Sequence, residues 1–130
     1  MKEIPKISDA EWDVMNVLWE EPGLTAAQVG ERLSGRGWKL NTVRTFLTRL
    51  EKKGAVRATE VPEARVFSAV LSREECIHAE GRTFAQRFFQ GATGALLVHF
   101  AGNTKLSDRE LKELEEILER KRKEGGRGRR

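Results

Sequence analysis

Asn41, Thr42, Arg44, Thr45, Thr48, Arg49 and Lys52 are the residues of this chain whose types and spacing can do chemistry together. An arginine can donate two hydrogen bonds to a guanine edge, and short hydroxyls can approach base edges closely. Lys52 and Lys53 can meet phosphates, as can the first amides of a helix. Interleaved with this set are Val43, Phe46, Leu47 and Leu50, at i, i+3, i+4 and i+7. One helix over about 40–53 would bury that stripe and turn the polar residues outward. Asn41, Thr45, Thr48 and Lys52 then lie opposite the stripe, Arg44 and Arg49 flank them, and Thr42 sits near the helix start. Threonine is a poor helix former, so three threonines on an outer face predict a surface meant to touch something. The acid on that side is Glu51, at its edge.

Such a helix needs a scaffold, and the preceding residues supply one. Ser8 with Glu11 and Thr25 with Gln28 are capping boxes. The first opens a helix with Trp12, Met15, Leu18 and Trp19 on one face, and Glu21-Pro22-Gly23 stops it. The second opens a short helix with Val29 and Leu33 inward, ended by Gly35-Arg36-Gly37. Gly54 stands where a left-handed cap is wanted after the third helix. The period then becomes extended. Residues 55–60 and 65–70 predict two strands joined through 61–64. Three helices and a hairpin in this order make a winged helix-turn-helix over residues 1–71. Arg57 and Arg65 on the hairpin can reach phosphates, although Glu60 and Glu63 flank its tip.

Residues 72–124 predict a helical dimerisation region, making the whole chain mainly α with a small β-hairpin. Ser72 with Glu75 and Ser107 with Glu110 are two further capping boxes. Ile77, Gly81, Phe84 and Phe88 share one helical face. The glycine there marks either a weakened helix or the close approach of a partner helix. Ala95 to Phe100 is apolar nearly all round, as expected of a segment buried on several sides. Leu111, Leu114, Ile117 and Leu118 form a seam bordered by charge. The winged helix has its own core, so Ile77, Phe84, Phe88 and this seam are expected to meet a second copy of the chain. Residues 125–130 predict a disordered basic tail.

Charge has to be placed before it is used. The net charge is +4, yet residues 120–130 hold seven basic residues against Glu124, which leaves the first 119 residues at net −2. A nucleic-acid reading therefore rests on where the charges lie. A single cysteine, Cys76, excludes an internal disulfide framework, and its spacing to Glu74, Glu75 and His78 fits no metal pattern. His99, inside an apolar segment, reads as a core histidine. No phosphate loop, nucleophile motif or paired-carboxylate frame is present, so neither an enzyme nor a bound cofactor, metal or small-molecule substrate is expected. No apolar run reaches the ~20 residues that span a bilayer, and the start has no signal-like apolar stretch. The expected location is the cytoplasm. A winged helix can also serve as a protein-docking module; that face would carry exposed aromatics or leucines in place of threonines and arginines.

Residues 8–19, Ser-Asp-Ala-Glu-Trp-Asp-Val-Met-Asn-Val-Leu-Trp, resemble the opening of the BlaI/MecI/CopY penicillinase-repressor family. Residues 41–54, Asn-Thr-Val-Arg-Thr-Phe-Leu-Thr-Arg-Leu-Glu-Lys-Lys-Gly, resemble that family's recognition helix. A weaker likeness runs through residues 96–101 and the 111–118 seam. The resemblance implies a transcriptional repressor that binds a palindromic double-stranded operator as a homodimer, with Thr42, Arg44, Thr45, Thr48 and Arg49 at the DNA-facing positions. In the family's antibiotic-responsive branch, the resemblance implies release through a membrane sensor metalloprotease pathway that ends in cleavage between an asparagine and a phenylalanine in the dimerisation region. The matching pair here is His99-Phe100, where histidine replaces the asparagine. The copper-responsive branch carries C-terminal cysteines, whereas this chain ends in arginines and glycines.

Overall fold

Four reciprocal caps start four of the helices, each at a hydroxyl followed three residues later by a carboxylate or amide. They pair Ser8 with Glu11, Thr25 with Gln28, Ser72 with Glu75 and Ser107 with Glu110. Each satisfies two amides at a helix start that the helix itself leaves unpaired. The computed structural model describes residues 3–128, with side chains through residue 126. In chain order the elements are α1 (Asp9–Glu20), β1 (Leu24–Thr25), α2 (Ala26–Arg32), α3 (Leu40–Lys52), β2 (Val56–Val61), β3 (Ala64–Ala69), α4 (Arg73–Phe89), α5 (Thr93–Asn103) and α6 (Asp108–Gly128).

The chain forms two compact units, Met1–Thr83 and Phe84–Arg130. The first is a winged helix. Its core joins Val14, Met15 and Leu18 of α1, Val29 of α2, Val43, Leu47 and Leu50 of α3, and Phe67 of β3. Trp12 packs edge-on against Trp19 at 5.4 Å, and the Trp19 indole donates to the Leu71 carbonyl at 2.9 Å, tying the end of the hairpin to α1. Leu71 and Cys76 belong to the same core. For that reason the first unit takes in the start of α4 and does not stop at residue 71.

The sheet has three strands in the order β1-β3-β2, all antiparallel. β1 is too short for a period to show in the sequence, and it pairs Leu24 with Phe67 and Thr25 with Val66. The hairpin closes between Val61 and Ala64, over Pro62 and Glu63. Proline fixes the first turn residue, and Glu63 follows at φ 69°, the order of a type II turn.

In the second unit, Gln90 and Gly91, at φ 52° and 85°, break the chain between α4 and α5. Phe84 lies 4.7 Å from Phe88 and 6.0 Å from Phe100, and His99 lies 6.0 Å from Phe89, between ring centroids. Burial of residues 95–100, expected from their composition, does not occur in the single chain: no residue of α5 is buried, and Val98 is 74% exposed. His99 is accordingly an exposed residue and not a core one. Outside its own stretch of helix, no described atom lies within 4 Å of where a Cβ would stand at Gly81. The expected tail also differs. α6 continues through Gly128, because adding a residue to an existing helix avoids the cost of a nucleus. Arg129 and Arg130 lie outside the described residues.

Candidate nucleic-acid interface

The helix α3 begins at an N-cap, Lys39, that offers no side-chain acceptor or reciprocal box. Its first amides are left without a side-chain partner, at the end where the helix dipole favours an anion. At the other end the Ala55 amide bonds the Leu50 carbonyl and the Gly54 amide bonds that of Glu51, at 2.9 and 3.0 Å. This is a Schellman cap, with Gly54 left-handed at φ 81°. Leu50 and Ala55 are both fully buried beside it, so the cap pins the helix where the hairpin departs.

Val43, Leu47 and Leu50 face the core, and Phe46 packs edge-on against Trp38 at 5.0 Å. Asn41, Arg44, Thr45, Thr48, Arg49 and Lys52 are exposed together on one open face of α3. Thr42 is half-buried and stands aside from them. The Thr45 hydroxyl donates to the Asn41 carbonyl at 2.9 Å, so it turns a methyl and an acceptor outward. Among the described residues, no ion pair engages Arg44, Arg49 or Lys52. Their cations remain available to an anion.

Arg65 is placed differently. Its guanidinium meets Glu51 of α3 at 3.1 Å and Glu60 at 3.4 Å, and it lies over the Phe67 ring at 5.5 Å. It braces the hairpin against α3, and two carboxylates share its charge. Arg57 is exposed on β2. Lys53, expected at phosphate, instead turns inward and bonds Glu11 and the Lys6 carbonyl. The Glu11–Lys53 pair was hidden in the sequence, where Glu11 reads only as a cap residue. Arg32 grips Glu21 through two nitrogens, at 2.8 and 2.9 Å. That bond joins α2 to the end of α1 and lowers the Glu21 carboxyl below its ordinary range.

Cys76 is buried, and burial, with Glu75 and Glu80 nearby, pushes its thiol up. Among the described residues no three His, Cys, Asp or Glu side chains group as a metal site, and no helix is long and apolar enough to cross a membrane.

Residues 7–120 match the family model described as penicillinase repressor. The chain is 35% identical over 120 residues to the penicillinase repressor of Bacillus licheniformis, covering 92% of this chain and 94% of that protein. It is 29% identical over 117 residues to the methicillin resistance regulatory protein MecI of Mammaliicoccus sciuri, covering 89% and 95%. Among solved structures it is similar to the monomeric form of Bacillus licheniformis BlaI in complex with the blaP half-operator. The TM-score is 0.50 at 36% identity, over 58% of this chain and 93% of that one. The capped helices, the hairpin and the outward set on α3 thus belong to a chain that is a member of the penicillinase repressor family, the winged-helix transcriptional repressors.

Proposed function

We propose that this repressor binds a palindromic operator as a homodimer in the cytoplasm, each protomer reading a half-site with α3. The observation that carries the reading is the groove-facing set on α3: free arginines and hydroxyls outward, over a stripe held in the core. Arg44 and Arg49 are assigned to base edges, Asn41, Thr45 and Thr48 to close contacts around them, half-buried Thr42 to the margin of that surface near the helix start, and Lys52 to phosphate. Arg65 is assigned to holding the hairpin. The likeness to BlaI, whose monomeric form is bound to a half-operator, supports one half-site per protomer.

The second copy is inferred from apolar surface. Ile77, Phe84, Phe88, Leu111, Leu114, Ile117 and Leu118 are all exposed in the single chain, and surface of that kind marks an interaction site. A two-fold dimer matches a palindrome. Selection of bound duplexes from a random pool tests the whole reading. The expected product is a pair of two-fold-related half-sites about 10 base pairs or a multiple apart. Enrichment of a single unpaired site, or of none, overturns it.

Cutting at His99–Phe100 would part α6 from the winged helix, and a membrane sensor metalloprotease pathway is the upstream partner this release requires. Both residues lie inside α5, and the His99 carbonyl accepts from Asn103 Nδ2 at 2.8 Å. Cleavage there therefore needs α5 to unwind first. Fragment masses after induction would locate the cut.

A further inference from the structure

We propose that the basic collar near the end of α6 is a second contact for duplex DNA, one that grips phosphates without reading sequence. The proposal rests on the DNA-binding reading above, and it adds a surface that lies outside the winged helix.

Arg120, Lys121, Arg122 and Lys123 are consecutive, exposed and, among the described residues, in no ion pair. Consecutive helical positions turn by about 100° each, so these cations ring the helix and leave no side of it to be buried. The apolar seam stops at Leu118. Its next helical positions, Lys121 and Arg122, are charged, and covering them with apolar surface would cost their hydration. Whatever covers the seam therefore ends before the collar, which stays in solvent. The helix dipole does not account for it, because that effect is confined to the last turn and α6 continues to Gly128.

Charge balance points to a polyanion. The first 119 residues carry net −2, and residues 120–130 bring the chain to +4. The collar thus reverses the sign of the charge the protein presents to DNA. The match to the family model ends at residue 120, where the collar begins. Residues 120–130 hold no apolar side chain, so they have nothing to insert into lipid, as a membrane-surface helix must.

The test compares the full chain with R120Q/K121Q/R122Q/K123Q on a random-sequence duplex across a range of salt. Glutamine is a good helix former, so α6 is retained, as circular dichroism checks. A chain ended after Glu119 gives the same comparison should the variant misfold. The plot of log affinity against log salt should become shallower by about 0.9 for each phosphate the variant no longer neutralises, and so by roughly 2 or more. Preference for a selected site over random duplex should persist. An unchanged slope overturns the proposal. Weakened binding to phosphatidylglycerol vesicles with an unchanged duplex slope also overturns it, and assigns the collar to lipid. A wild-type chain that prefers no sequence sinks the operator reading instead, and leaves the slope comparison standing.

Discussion

Lys53, at the end of α3, donates to the carboxylate of Glu11, at the start of α1, with its Nζ 2.5 Å from Oε1. Glu11 is 2% exposed. Burial pushes its carboxyl up, but hydrogen bonds from Lys53 and Ser8 outweigh burial and hold it below its ordinary 4.5. A carboxyl lowered on folding stabilises the fold above its unfolded value, and that contribution is lost as pH falls through the folded value. Lys53→Met leaves the buried charge without its cation, at a cost of about 1–3 kcal/mol near pH 7. Once pH has fallen below the lowered folded value, protonation removes that charge, so the penalty should shrink. Urea unfolding at both pH values checks this; an equal penalty at both would show that the pair does not act through charge.

Arg44→Ala and Arg49→Ala should each cost about 1–3 kcal/mol on a selected operator, and less on random duplex. Arg65→Ala should cost less than either, because Glu51 and Glu60 already share its charge. Titrations of all three variants on both duplexes supply the comparison. Equal losses on the two duplexes would place the arginines at phosphates and not at base edges.

Leu114→Asp puts a carboxylate into the α6 seam and should separate the protomers in sedimentation. Site affinity should fall by up to ~10²–10⁴, the gain that comes from linking two half-site readers. The winged helix should keep its thermal transition. A dimer of unchanged strength would remove the seam from the interface.

Glu63→Gly should stabilise the winged helix. A left-handed residue with a Cβ costs roughly 1–2 kcal/mol, and glycine returns part of that through its freedom when unfolded, leaving a gain of about 0.5–1 kcal/mol. Thermal unfolding measures it, and a lower melting temperature would mean that the Glu63 side chain stabilises the turn by more than its strain.

The winged helix was legible because its signals are local. Three caps, one apolar stripe in α3 and the glycine after it are each complete within a few residues. What stayed hidden depends on distant parts of the chain. Glu11 and Lys53 meet across 42 positions, and β1 exists only because β3 supplies its partners. Arg65 points to phosphate in the sequence, whereas in the fold Glu51 and Glu60 share its charge. For α5 the composition spoke of burial that one chain alone does not supply.

Trp12, Trp19 and Trp38 all lie in the first unit, and the chain has no tyrosine. Intrinsic fluorescence above the phenylalanine band therefore comes from the winged helix alone. Trp38, packed on Phe46, sits beside the start of α3, and Trp19 is bonded to the end of the hairpin. An emission melt follows the first unit, while far-ultraviolet circular dichroism also sees the end of α4, α5 and α6. Any gap between the two transitions is a direct optical measure of how far the units unfold separately, with no label added.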